Sequence, residues 1–283
     1  MTTDNSPNPI LAARPQSHFV EAGGLKTHYV ESGVGTPTIL IHGGGAGADG
    51  WGNWRNCLPL FGESVRAMAI DLVGFGNSSK PDPATFVYSQ DARDQQLADF
   101  IEALDAGPVN LVGNSTGGLT AIGAALLKPN LVNKVVLMGS AGIETGVIAP
   151  LKALTEYDFT PAGMRRIISS LANPDFPIED DLITYRYQLS IDPEVRAGYS
   201  AFMRWIGEQN GLHRPEEFIA RLKHKTLVVH GKEDKVVPLS SGLRLLELID
   251  NSSGYILPHC GHWAMMEYSQ AFTRVTLDFL LND

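Results

Sequence analysis

The chain has 283 residues, 43% of them hydrophobic, and a formal charge of −9 from 22 basic and 31 acidic side chains, enough apolar material for one large domain with an insertion or two modest ones. That acidic balance, with no basic stripe interleaved with aromatics, excludes a nucleic-acid surface, and no apolar run reaches membrane-spanning length. Two cysteines, Cys57 and Cys260, make no disulfide framework although they could pair, and the first residues lack the features of a signal peptide, so a cytoplasmic protein is expected.

Residues 1–16 are polar and aperiodic and predict a loose tail. Short strands follow over 19–21 and 26–31, around Gly23-Gly24. An apolar strand over 38–41 runs into His42-Gly43-Gly44-Gly45-Ala46-Gly47-Ala48, and another over 67–72 carries Asp71 near its end. Leu97, Phe100, Ile101 and Leu104 recur at i, i+3, i+4 and i+7, which predicts a helix over 89–104. A strand over 109–112 then meets Gly113-Asn114-Ser115-Thr116-Gly117-Gly118, followed by a proline-free helical run over 119–127 and a strand over 132–138.

From 141 to 212 the pattern lacks strands. Thr160-Pro161 reads as a helix cap with a first-turn proline, Met164, Ile167, Ile168 and Leu171 line one helical face, and further helices are expected over 178–189 and 194–208. The alternation resumes with a strand over 226–230, a helix over 243–249, a strand over 254–257 and a helix over 270–281. Such alternation implies a mostly parallel α/β sheet covered on both faces. Residues 17–140 and 213–283 would form that domain, and 141–212 a helical lid inserted after the sixth strand.

Gly113-x-Ser115-x-Gly117 between a strand and a helix has the form of a nucleophile elbow, where a serine sits on a strained turn relieved by glycines. A serine hydroxyl needs a base to take its proton and an acid to orient that base. Asp234 follows the strand over 226–230 and His262 follows the last strand, so both fall near the carboxyl ends of parallel strands, in the chain order Ser, Asp, His that this elbow accompanies. Glu233 and His259 are the nearest competitors; read blandly, Asp234 caps a turn and His262 is merely packed. Developing negative charge would be met by the backbone N–H of Thr116 and by one from the glycine run, at Gly44.

The same run also spells Gly43-x-Gly45-x-x-Ala48, but Asp49-Gly50-Trp51-Gly52-Asn53-Trp54 is a poor helix start and Asp71 lies too far on for a dinucleotide site. His42, His259 and His262 lack a metal-ligand spacing, so neither cofactor nor metal is expected.

The segments His42–Gly47, Asp71-Leu72-Val73-Gly74-Phe75-Gly76, Gly113–Gly118, Gly231-Lys232-Glu233-Asp234 and Gly261-His262-Trp263 together resemble the meta-cleavage product hydrolases of the α/β-hydrolase fold. The likeness spans about 19–281 and is nearest in texture to the hydrolases of carbazole, biphenyl and dibenzofuran degradation. It implies hydrolysis of a carbon–carbon bond in a 2-hydroxy-6-oxohexa-2,4-dienoate carrying a 6-aryl or 6-alkyl group, after ketonisation, and it suggests a homodimer. By the same resemblance Arg186 holds the substrate carboxylate, Asn53 and Asn114 help to hold the dienoate end, Gly43 is a further substrate-binding residue, and Trp263 stands beside the histidine. Phe75, Ile143, Leu154, Trp205 and Ile206 are the expected pocket for the 6-substituent. Ala46 replaces a proline of several relatives and Thr116 a methionine of others, which leaves the preferred substituent open. An ester or lactone hydrolase would use the same triad and need neither the diene nor Arg186; a ligand receptor on this fold would keep the pocket and lose turnover, and the full set of Ser115, Asp234 and His262 argues against it.

Overall fold

The computed structural model describes residues 8–146 and 152–282. The strands are β1 (Ser17–Ala22), β2 (Leu25–Ser32), β3 (Pro37–Ile41), β4 (Arg66–Ile70), β5 (Val109–Asn114), β6 (Val132–Met138), β7 (Lys225–Gly231) and β8 (Ser252–Leu257). They form one sheet in the order β1-β2-β4-β3-β5-β6-β7-β8. β1 and β2 make a hairpin and β2 runs antiparallel to β4, whereas every later pairing, from β4 across to β8, is parallel.

Parallel neighbours need crossover connections, and helices supply them. Gln90–Leu104 joins β4 to β5, Thr116–Leu127 joins β5 to β6, and Leu239–Leu248 joins β7 to β8. The first of these starts where Ser89 accepts a hydrogen bond from Ala92 N and ends at Asp105 in a left-handed conformation. Layers on both sides explain why β5 is buried along its whole length while the edge strand β1 alternates between exposed and half-buried positions.

After β6 the chain leaves the sheet. The described part of the insertion holds helices Lys152–Thr155, Pro161–Leu171, Asp180–Ile191 and Pro193–Glu208; a short helix, Glu216–Ile219, follows it, and no strand intervenes among the described residues before β7. Thr160 accepts from Gly163 N with Pro161 in the first turn, and Met164, Ile167, Ile168 and Leu171 are buried, as their spacing predicts. The insertion's two ends meet: Gly142 and His213 form an isolated parallel bridge, and Arg214 N donates to Gly142 O at 3.0 Å.

Two expectations need correction. Of the tail expected over 1–16, residues 1–7 lie outside the described residues, but from position 8 the chain is held: Pro9–Ala12 forms a helical turn capped by Asn8, and Trp51 Nε1 donates to Ile10 O at 2.8 Å. The partners that hold it, an indole and the distant Asp181 carbonyl, are invisible in a local reading. The poor helix start at 49–54 is in fact the helix Gly50–Trp54, N-capped by Asp49, with Trp51 and Trp54 buried. A good cap and two buried indoles outweigh the low propensity of two glycines.

The elbow ties this architecture together. A Cβ on Gly117 would lie 2.4 Å from Ile41 O and 2.6 Å from His42 O, so the helix after β5 and the loop after β3 approach as closely as backbones can. Gly117→Ala is therefore expected to lower stability by about 1–3 kcal/mol or more, read as a fall in the urea midpoint at unchanged slope.

Candidate active site

Ser115 sits between β5 and the helix Thr116–Leu127 with φ 57° and ψ −120°, a conformation L-residues rarely adopt. Its own amide and carbonyl hold it there: Ser115 N donates to Met138 O at 3.0 Å, and Ala141 N donates to Ser115 O at 3.1 Å. The side chain is thereby presented beyond the carboxyl ends of β5 and β6.

The loop after β7 brings Asp234 to the same edge. Its Oδ1 accepts from Val236 N and Val237 N at 2.8 and 2.9 Å, and its Oδ2 lies 2.7 Å from Nδ1 of His262, which follows β8. Both side chains are buried, and the pair stands close enough to Gly139, at the end of β6, that a Cβ there would lie 3.1 Å from the imidazole. Ser115 and His262 line one cavity, although no hydrogen bond joins them directly among the described residues. Unliganded sites often leave this link long until substrate closes it. The competitors are elsewhere: Glu233 accepts from Asn173 Nδ2 at 2.6 Å and faces His259, which is 81% exposed.

The glycine run after β3 forms the facing wall. His42 is buried, and burial drives its imidazole down to about 4, so the ring is neutral. Its Nε2 accepts from Leu72 N at 3.0 Å, leaving Nδ1 to donate to Gly43 O at 2.6 Å. In a trans peptide the Gly44 N–H then points away from that ring. Among the described residues neither Gly44 N nor Thr116 N has an acceptor.

The cavity holds about 1000 Å³ of atom-free space, its mouth included. Its walls include Arg186, Asn53, Gly45, Leu171 and Trp263 and the apolar side chains of Ile143, Met203, Ile206, Leu212, Val236 and Val237. Arg186 is buried, yet among the described residues only its Nη2 has a hydrogen-bond partner, Ala46 O at 2.8 Å; Nε has none there, and the guanidinium carbon lies 5.2 Å from the centre of the Trp263 ring. Burial lowers its pKa to about 10, which leaves it charged at neutral pH. Asn53 Nδ2, Asn114 Oδ1 and Thr116 Oγ1 are likewise buried without partners.

Of the residues singled out from sequence, Ser115, His262, Gly43, Gly44, Thr116, Asn53, Asn114, Arg186 and Trp263 line this cavity, as do Ile143, Leu154 and Ile206. Phe75 and Trp205 do not. Phe75 lies behind the glycine loop, edge-on to His42 at 5.2 Å, and Trp205 stacks on Phe202, one helical face away from the cavity-lining Ile206. Met203, Leu212, Val236 and Val237 were missed because a loop or helix residue's side is set by tertiary packing rather than by local pattern. No group of three or more His, Cys, Asp or Glu side chains among the described residues is arranged to hold a metal ion. No helix among them is long and apolar enough to cross a membrane.

The sheet, the strained serine and the Asp–His pair define an α/β hydrolase of the serine type, and comparison with known proteins agrees. The family described as alpha/beta hydrolase fold matches residues 37–268. The 2-hydroxy-6-oxo-6-(2'-aminophenyl)hexa-2,4-dienoic acid hydrolase of Metapseudomonas resinovorans is 49% identical over 263 residues, 93% of this chain and 90% of that protein. The crystal structure of a serine hydrolase involved in carbazole degradation (CarC) is similar at 48% identity and a TM-score of 0.87, covering 94% of this chain and 98% of the other. A meta-cleavage product hydrolase of Pseudomonas fluorescens IP01 (CumD) is similar at 36% identity and a TM-score of 0.86, covering 94% and 97%. The chain belongs to the α/β hydrolase fold family and, within it, to the meta-cleavage product hydrolases.

Cys260, two residues from His262, offers no rival nucleophile. Both cysteines are free and buried; burial raises the Cys57 thiol to about 12 and the Cys260 thiol further. Native protein at pH 8 is expected to release no chromophore from Ellman's reagent, and urea-unfolded protein to react at both thiols.

Proposed function

We propose that this chain hydrolyses the C5–C6 bond of 2-hydroxy-6-oxohexa-2,4-dienoates bearing a 6-aryl or 6-alkyl group, giving 2-hydroxypenta-2,4-dienoate and a carboxylic acid. The observation that carries this reading is Arg186: a buried guanidinium with one carbonyl partner and an unpaired Nε, on the wall of the cavity that holds Ser115. The buried Asp49 carboxylate acts on this guanidinium only from a distance, without a hydrogen bond to it among the described residues, and a substrate carboxylate bound directly would offset the cost of burying the charge while fixing the substrate's orientation. An ordinary ester presents no such group.

With the carboxylate at Arg186 and the 2-hydroxyl end near Asn53 and Asn114, the extended diene would run past Ser115 and place the 6-substituent among Ile143, Met203, Ile206, Leu212, Val236 and Val237. Ketonisation moves the enol proton from the 2-oxygen to C5, so that C5 can later leave with the bonding pair spread onto the 2-keto group. His262 then takes the Ser115 proton as the serine oxygen bonds to C6, and Asp234 holds the imidazole by its Nδ1–H and steadies the resulting cation. The negative charge formed on the C6 oxygen would be met by the Gly44 and Thr116 amides, which stand free for it. Collapse breaks C5–C6 as His262 gives its proton to the 2-oxygen of the departing dienolate, forming the 2-hydroxydiene; water then loses a proton to the neutral His262 as its oxygen bonds to the acyl carbon, and that proton returns to Ser115 Oγ as the acid is released.

Ser115→Ala is expected to keep the fold and bind a yellow 6-phenyl dienoate, seen as a spectral shift, while its bleaching slows by about a thousandfold or more. Arg186→Gln should lower kcat/KM for that dienoate by about a hundredfold, as expected for a charge-assisted bidentate pair, and far less for p-nitrophenyl butyrate. Equal losses on both substrates would count against a carboxylate site, and faster turnover of the ester than of the dienoate by the unmodified protein would remove the carbon–carbon assignment.

A further inference from the structure

Arg186 has little to aim it. One carbonyl and the face of an indole touch its guanidinium, so its direction must be set by where its backbone is held. That backbone belongs to the helix Asp180–Ile191 and rests directly on the glycine loop, where a Cβ on Gly47 would lie 2.0 Å from Arg186 O.

The neighbouring side chain fastens it. Tyr185 is buried, and its hydroxyl donates to Asp49 Oδ2 at 2.7 Å. Asp49 is fully buried as well and is itself held, its Oδ1 accepting from Gly52 N at 2.8 Å. Behind it, Asp71 Oδ1 accepts from Gly50 N at 2.7 Å and Asp71 Oδ2 lies 2.8 Å from His28 Nδ1. Arg14 Nη2 stands 3.9 Å from an oxygen of each carboxylate. Burial and the nearby Asp71 raise the Asp49 carboxyl to about 6, against the pull of the Tyr185 hydroxyl and of Arg14. Two carboxylates are thus kept in the interior where apolar side chains would pack with less cost, and a phenylalanine would fill the place of Tyr185 equally well if packing alone mattered.

We propose that Tyr185 and Asp49 form a buried latch whose task is positioning: it fixes the lid helix against the loop that carries Gly44, so that Arg186 meets the substrate carboxylate already aligned. The latch rests on the role proposed above for Arg186, and it joins three parts of the chain that are distant in sequence: the glycine loop, the insertion helix and, through Arg14, the N-terminal segment. Preorganisation of this kind improves capture of the carboxylated substrate while leaving the chemistry at Ser115 in place.

The test is kcat and KM for the 6-phenyl dienoate and for p-nitrophenyl butyrate in four proteins: unmodified, Tyr185→Phe, Arg186→Gln and the double variant. Tyr185→Phe should raise KM for the dienoate about tenfold, the loss expected for a hydrogen bond to a charged group, with kcat nearly kept. The ester should change by less than about threefold, and in the Arg186→Gln background the second substitution should cost nothing more on the dienoate, because the two residues act as one. Losses that multiply in the double variant, equal losses on both substrates, or no loss at all would overturn the latch while leaving the Arg186 site standing. If instead Arg186→Gln fails to separate the two substrates, the carboxylate site falls and the latch with it. Should Tyr185→Phe not fold, Asp49→Asn, which keeps the shape but leaves one oxygen to serve both donors, faces the same criteria.

Discussion

The whole site depends on one backbone crossing. Where the helix after β5 begins, Gly117 lies so close to the carbonyls of Ile41 and His42 that no side chain fits between them. That approach sets the distance between the serine's turn and the glycine loop, and so determines that Thr116 N and Gly44 N flank the same space. The positive φ of Ser115 is the local cost of the arrangement, held by hydrogen bonds to the end of β6 on either side.

Beyond that crossing, the parts differ in how they are held. Asp234 and His262 are fixed by short loops after consecutive strands, with the carboxylate gripped by two backbone amides as well as by the imidazole. Arg186 reaches the cavity from the insertion instead and lacks any comparable grip of its own. A charge-bearing element and a nucleophile-bearing element therefore come from different layers of the molecule. The division suits a reaction in which binding one end of a substrate and breaking a bond farther along it are separate tasks.

Much of this was legible in the sequence because the sheet's parts are local: an apolar run, a glycine-flanked serine, an acid and a histidine each just past a strand. Asp234 and His262, which meet at 2.7 Å, could be placed by position along the chain alone, without knowing the strand order. The same holds for Thr160-Pro161, whose cap is a four-residue matter. What could not be read were features made by meetings across the chain. Asp49 opens a stretch that reads as a poor helix start, yet Trp51, Trp54 and Tyr185 give it a helix to cap and a hydroxyl to receive. Phe75, expected in the pocket, packs edge-on against the buried His42 instead and does not line the cavity. Arg93, in a helix that periodicity located correctly, is buried against Phe202 at 3.3 Å, a contact no helical pattern announces.

The bridge between Gly142 and His213 carries a lesson about change over time. Since the excursion departs and comes back at one point, the strands' alignment does not depend on how long the path between its ends is. What does bind the excursion to the rest is a few seats, such as Tyr185 on Asp49 and the Leu171 carbonyl on the His262 amide. A lineage on this scaffold can try new substrates by rewriting the helices between those seats, while the strands that carry the serine, the acid and the histidine keep their places.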